Sequence, residues 1–285
     1  MTTDNQEPAS PAVGHFPVPD TLYEAYIFDL DGTAYLGDSL LPTAGETLAL
    51  LRRLGKRTVF LSNNPTYTRE EQAGKLTRLG LPTPVADVIN SSLVMADFLH
   101  RHMPDARLFV IGEQPLLEVL QEAGFELTDD PARIDAVIAS FDRTFVYAKL
   151  QTAFDAIRQG ARFFATNGDR YCPVPGSGQP DAASIIAAVE ACTDTRVEAI
   201  VGKPSTHMAA AVLSLLDLPP EACLMTGDRL ETDVAMESAA GPSGPLALTG
   251  ATSAQQAAAS PIHPTYILRQ LADLLPPGLA AQENL

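Results

Sequence analysis

Cysteine is scarce, with Cys172, Cys192 and Cys223 the only three in 285 residues. An odd number with no C-x-x-C pair argues against a disulfide framework and against a zinc site, and fits reduced thiols in a cytoplasmic protein. Cys172 falls in a loop that could face a ligand, although filling space is its simpler role. Positive charge is also short: 19 Lys and Arg stand against 35 Asp and Glu, a net charge of −16. That balance opposes non-specific binding to nucleic acid or to an anionic membrane. No apolar run reaches eighteen residues, and the first twenty mix Pro, Gly, Asp and Glu where an export signal would place a basic and then an apolar stretch. A soluble, unexported chain with no nucleic-acid or membrane partner is the expectation. What is present is 46% hydrophobic content, enough for a full core arranged as two lobes of one unit.

The most informative stretch is Tyr26-Ile27-Phe28-Asp29-Leu30-Asp31-Gly32-Thr33. Its apolar start predicts a short buried strand, and alternate residues of a strand share a side, so Asp29 and Asp31 can converge where Gly32 turns the chain away. Two carboxylates that close are costly unless a cation lies between them or one is protonated. One can then act as nucleophile, here Asp29, and the other as proton shuttle, here Asp31. Taken alone, the same letters read equally well as a strand-end cap and an Asp-Gly turn.

Three further apolar runs end in groups suited to phosphate or metal. Thr58 to Leu61 leads into Ser62, Asn63 and Asn64 ahead of a helix beginning near Thr68, where a hydroxyl and amides could donate to phosphoryl oxygens, or could simply form an Asx-type turn. Ala199 to Gly202 leads into Lys203, with Pro204 suited to a first helical turn; a lone Lys is either a point charge for phosphate or a surface group. Cys223 to Gly227 leads into Asp228 and, five residues on, Asp233. Asp228 could bind a hard cation directly, while Asp233 could hold a metal-bound water, orient Lys203, or serve only as an acid at a helix start.

These four segments, in this order, resemble the haloacid dehalogenase superfamily of phosphatases: D-x-D-x-T at Asp29, Asp31 and Thr33, then Ser62, then Lys203, then the acidic pair Asp228 and Asp233. The long interval between Ser62 and Lys203 is similar to that of the branch with a C2-type cap, the NagD-like, p-nitrophenyl phosphate and phosphoglycolate phosphatases. Phe141-Asp142-Arg143-Thr144 with Tyr147, Phe164-Ala165-Thr166-Asn167 and Gly202-Lys203-Pro204 also look like that branch. The chain departs from it at Gly176-Ser177-Gly178, where relatives often carry a Pro-Gly-x-Gly turn, and at Met236-Glu237-Ser238, where they often carry Gly.

The resemblance implies an α/β protein: a doubly wound, parallel-sheet, Rossmann-like core with an inserted α/β cap. The strand and helix rhythm places the core at 21–85 and 199–275, the cap at 86–198, a flexible leader at 1–20 and a tail at 276–285. All four motif groups then fall at carboxyl ends of strands, where doubly wound sheets bind ligands. The implied chemistry is hydrolysis of a small phosphomonoester, such as a sugar phosphate, nucleoside monophosphate or phosphoglycolate, through an aspartyl-phosphate. Mg²⁺ would be held by Asp29, Asp228 and the main-chain carbonyl of Asp31, and its oxygen ligands suit it better than zinc. Ser62, Asn63, Asn64 and Lys203 would hold the phosphoryl group, and Asn167, Asp169, Arg170 and Tyr171 of the cap are candidates for substrate contact. A phosphotransferase or mutase would share this chemistry, and a non-catalytic phospholigand sensor would share the fold. Members of the branch are often homodimers.

Overall fold

The computed structural model describes residues 17–174, 176–238 and 244–283. Most of the expected leader and the last two residues of the expected tail therefore lie outside the described residues. The core is a parallel sheet with strand order Cys223–Thr226, Ala25–Asp29, Arg57–Ser62, Val88–Asn90. Its central runs are apolar on both faces, as a parallel sheet covered by helices requires. Tyr26, Phe28, Phe60 and Leu224 face the helix Ala44–Arg53 and the segment from Leu268 to Leu275. Ala25, Ile27, Val59 and Leu61 face the opposite layer, which includes the helices Ser91–His102 and Thr206–Leu216.

A second parallel sheet has the order Ala199–Ile200, Arg162–Ala165, Ala136–Ala139, Arg107–Ile111, Glu126–Leu127. The helices Tyr147–Arg158 and Ala182–Thr193 cover one face through Ala153, Ile157, Ile185 and Val189. The other face packs through Leu108, Val110, Ile138 and Phe164 on the layer containing Ser91–His102, so one apolar cluster runs between the two sheets.

Strand pairing moves the expected boundaries. Val88–Asn90, expected in the cap, joins the core sheet beside Arg57–Ser62. Ala199–Ile200, expected in the core, pairs with Phe164 and Ala165 of the second sheet. Both runs are apolar, and composition does not say which partner a strand chooses. Two further corrections are local. Pro204 is not a first-turn residue, because Ser205 caps the helix by accepting from Met208 N–H and the helix opens at Thr206. The supposed tail forms a helix, Pro277–Glu283, whose Leu279 and Ala280 pack on the core. Among the described residues no helix is long and apolar enough to cross a membrane.

Candidate active site

The strand Ala25–Asp29 delivers Asp29 to the carboxyl edge of the sheet, level with Leu61 of the next strand. Gly32 then takes a left-handed φ of 88°. A Cβ there would stand 2.4 Å from an Asp228 carboxylate oxygen, so only glycine allows this approach. Gly227 is required for a similar reason, since its Cβ would meet the Asp233 carboxyl carbon at 2.1 Å.

Lys203 joins these strand ends. It is 3% exposed, and its ammonium donates to Asp29 and, at 2.7 Å, to Asp233. The other oxygen of Asp233 accepts from the Arg229 N–H at 3.1 Å, which fixes the carboxylate across the turn Leu230–Val234. Asn63 holds the Lys203 main chain from both sides: its Oδ1 accepts from Lys203 N–H at 2.7 Å and its Nδ2 donates to Lys203 C=O at 3.1 Å. The Asn63 side chain is thus committed to placing Lys203, not left over for a ligand. Asn64 Oδ1 accepts from Thr66, making the Asx-type turn. Asn64 N–H donates to Ser62 Oγ, which leaves the Ser62 hydroxyl its own proton to donate.

Asp29, Asp31, Ser62, Asn63, Asn64 and Lys203 line one side of a cavity of about 60 Å³ that opens to solvent. Burial pushes the Asp29 carboxyl well up; Lys203 pulls against that, while Asp233 and Asp228 add to it. Asp228 is pushed up to about 6 by burial and by Asp233. Asp31 stays open to solvent at the cavity mouth, yet the atoms crowding it raise its carboxyl, with Lys75 and the Tyr35 hydroxyl opposing. Burial works against the Lys203 ammonium, but Asp233 and Asp29 outweigh it and hold its pKa above the ordinary lysine range.

Ligand oxygens of Asp29, Asp228 and Asp233 lie within 4.8 Å of one another. Three carboxylates against one ammonium leave excess negative charge, and an all-oxygen donor set of this kind fits a hard divalent cation. The space is shaped to the carboxylate: a Cβ at Gly250 would fall 2.0 Å from Asp228 Oδ2, and Ala251 N–H donates to that oxygen. The Asp31 side chain stands outside this group, its Oδ2 3.4 Å from the Tyr35 hydroxyl. The expected role for Asp31 used its main-chain carbonyl.

The opposite wall comes from the segment that follows the strand Arg162–Ala165 of the second sheet. Asp169 and Tyr171 line the cavity, whereas Asn167 is buried behind them and donates to Asp169 and Asp181. Arg170 is solvent-exposed and is not part of the lining. Asp181 and Arg229, not among the expected site residues, also line it. The available signals were the acid just ahead of an apolar helix, where Asp181 is the cap, and the arginine directly after Asp228. Cys172 was expected in a loop. The segment is a hairpin, Tyr171–Val174 against Ser177–Pro180, which carries Tyr171 and Cys172 to the cavity.

The fold and site together define a Rossmann-like parallel sheet whose carboxyl edge gathers acidic side chains around a buried lysine, with a second α/β lobe facing it. Residues 26–126 match the model for haloacid dehalogenase-like hydrolases, and residues 200–274 match that for HAD-like hydrolases. The chain is 38% identical to the sugar-phosphatase AraL of Bacillus subtilis over 87% of its own length and 90% of that protein's. It is also similar to the solved 4-nitrophenylphosphatase of Thermotoga maritima, at 33% identity and a TM-score of 0.85 over 88% of this chain and 96% of that one. The glycerol phosphate phosphatase of Mycobacterium tuberculosis, solved in complex with magnesium, matches at 31% identity and a TM-score of 0.81 over 88% of this chain and 77% of that one. The chain belongs to the haloacid dehalogenase-like hydrolases.

Proposed function

We propose that the chain hydrolyses small phosphomonoesters through an aspartyl-phosphate on Asp29. It is a phosphoric monoester hydrolase, as its relatives' names agree. The observation that carries the mechanism is the Lys203 ammonium bridging Asp29 and Asp233 on the floor of a cavity that Asp31 and Ser62 also line. Ser62, the main-chain N–H of Asn63, Asn64 and Lys203 orient the phosphoryl oxygens, with Asn63 also fixing Lys203. A free oxygen of Asp29 attacks phosphorus, the ester P–O bond breaks, and Asp31 passes its proton to the departing oxygen. The raised Asp31 carboxyl keeps that proton to higher pH than an ordinary aspartic acid. Asp31 then takes a proton from water, whose oxygen attacks phosphorus and frees Asp29 and orthophosphate. Asp233 positions Lys203 throughout. Mg²⁺ held by Asp29, Asp228 and the Asp31 carbonyl would neutralise phosphoryl charge and keep Asp29 ionised among its carboxylate neighbours. Three cysteines, an odd number without metal-type spacing, fit a cytoplasmic place of action.

The test is phosphate release from p-nitrophenyl phosphate, with Mg²⁺ and after chelation, by the wild type and by Asp29→Asn. Mg²⁺-dependent turnover that drops at least roughly a thousandfold in the variant is expected. Equal turnover by both proteins would refute the role of Asp29.

A further inference from the structure

The cavity lining holds two cations among the described residues, Lys203 and Arg229, and both are engaged by protein carboxylates. Lys203 bonds Asp29 and Asp233. The Arg229 guanidinium stands 3.5 Å from Asp169, and its other charged neighbours are Asp228, Asp29 and Asp233. On the wall facing the catalytic groups, the charged side chains are Asp169 and Asp181.

Neither carboxylate is free to swing away. Asn63 Nδ2 and Asn167 Nδ2 both donate to Asp169 Oδ2, at 2.9 and 3.0 Å, tying it to each lobe at once. Asp181 is 5% exposed, and its Oδ1 accepts from Asn167 and from the N–H of Ala182 at the start of its helix. Both bonds fall on Oδ1, which leaves Oδ2 as the acceptor for a ligand. Tyr171 completes the wall: its ring lies across the hairpin on Gly178, where a Cβ would come within 2.9 Å of it. Ionised carboxylates only accept hydrogen bonds, so this wall welcomes O–H groups lying on an aromatic face and repels an anion.

Resting on the phosphatase reading, we infer that Asp169 and Asp181 select esters whose leaving group is a neutral polyol and exclude those whose leaving group carries a second negative charge. Arg229 compensates Asp169 in part, so Asp181 carries the uncompensated charge of the wall, and the Asp169 carboxylate keeps the guanidinium from reaching an anionic leaving group. The residues are specificity-determining: they meet the part of the substrate that departs, not the phosphorus.

The experiment compares kcat/KM for glycerol phosphate and phosphoglycerate, which differ by a hydroxymethyl group against a carboxylate, with p-nitrophenyl phosphate as a third ester. In the wild type, glycerol phosphate is expected to be preferred by at least roughly tenfold, given the cost of opposing like charges in a confined site. Asp181→Asn keeps the helix cap and the shape while removing the charge. It is expected to shrink that preference by roughly tenfold, the phosphoglycerate value rising as the glycerol phosphate value falls. Asp169→Asn is the second variant, with the same expected direction. Equal or better turnover of phosphoglycerate by the wild type, or a ratio unmoved in both variants, overturns the inference while leaving the phosphatase reading standing. No phosphate release from any of the three esters overturns both.

Discussion

Lys203 is the residue on which the electrostatics turn, because its ammonium is enclosed with carboxylates to which, among the described residues, no other buried side-chain cation is bonded. Replacing it by Met leaves Asp29 and Asp233 facing each other without compensation. Breaking one side of a buried ion pair costs about 3–5 kcal/mol. Urea unfolding of Lys203→Met in chelator at neutral pH should show a loss of that order, shrinking in acid as the carboxylates take up protons. Asp181 gives a pH signature of its own. Burial pushes its carboxyl up to about 6, from an ordinary value near 4. The folded state therefore binds the proton more tightly than the unfolded chain, so this group costs nothing below pH 4 and its full penalty applies above pH 6. Wild-type stability relative to Asp181→Asn is expected to fall between pH 4 and 6, by at most about 3 kcal/mol. A relative stability that rises across that range would contradict the assignment. Asp29, Asp31, Lys203 and Asp228 were legible in the sequence because each follows an apolar run that had to be a strand. Asp181 and Arg229 were not, because their importance comes from the place where the two lobes meet.

Among the elements, most strands and helices could be read directly, since apolar runs of four to six residues alternate with amphipathic stretches closed by Gly or opened by Ser, Thr or Asn. Thr68 and Glu71, for instance, form the capping box that opens the helix Arg69–Arg78. The hairpin at 171–180 was hidden because it contains Pro173, Gly178 and Pro180, residues that weaken a strand reading. Partner choice for Val88–Asn90 and Ala199–Ile200 was hidden for another reason: pairing is decided by distant segments. The loop after the strand Leu246–Ala247 was the least legible element with a bearing on the site. Its Gly250 and Ala251 lie against Asp228, and Thr249 donates to the Gly32 carbonyl at 2.7 Å. Gly250→Ala forces Asp228 or the loop to move. Supporting residues of metal sites commonly change affinity by 10–100-fold. The Mg²⁺ concentration giving half-maximal activity is expected to rise by about that factor, and an unchanged value would show that the loop yields freely.

At the level of the whole molecule, the core sheet brings the carboxyl ends of three strands, leading to Asp29, Ser62 and Asp228, to one edge, and Lys203, 174 residues from Asp29, reaches them from the end of a strand of the second sheet. A chain of net charge −16 can still hold a phosphate there, since Lys203 and main-chain N–H groups supply local positive potential against an unfavourable overall field. The second lobe closes the site from above and supplies the wall that meets the leaving group. The most direct measurement is mass spectrometry of acid-quenched Asp31→Asn after mixing with p-nitrophenyl phosphate and Mg²⁺. The nitrophenolate departs without a proton, so the first step proceeds, while hydrolysis of the intermediate lacks its base. A phosphoryl group accumulating on the peptide that contains Asp29 is the expected result; a phosphoryl group on another residue, or nitrophenolate released with no modified Asp29, would contradict the mechanism.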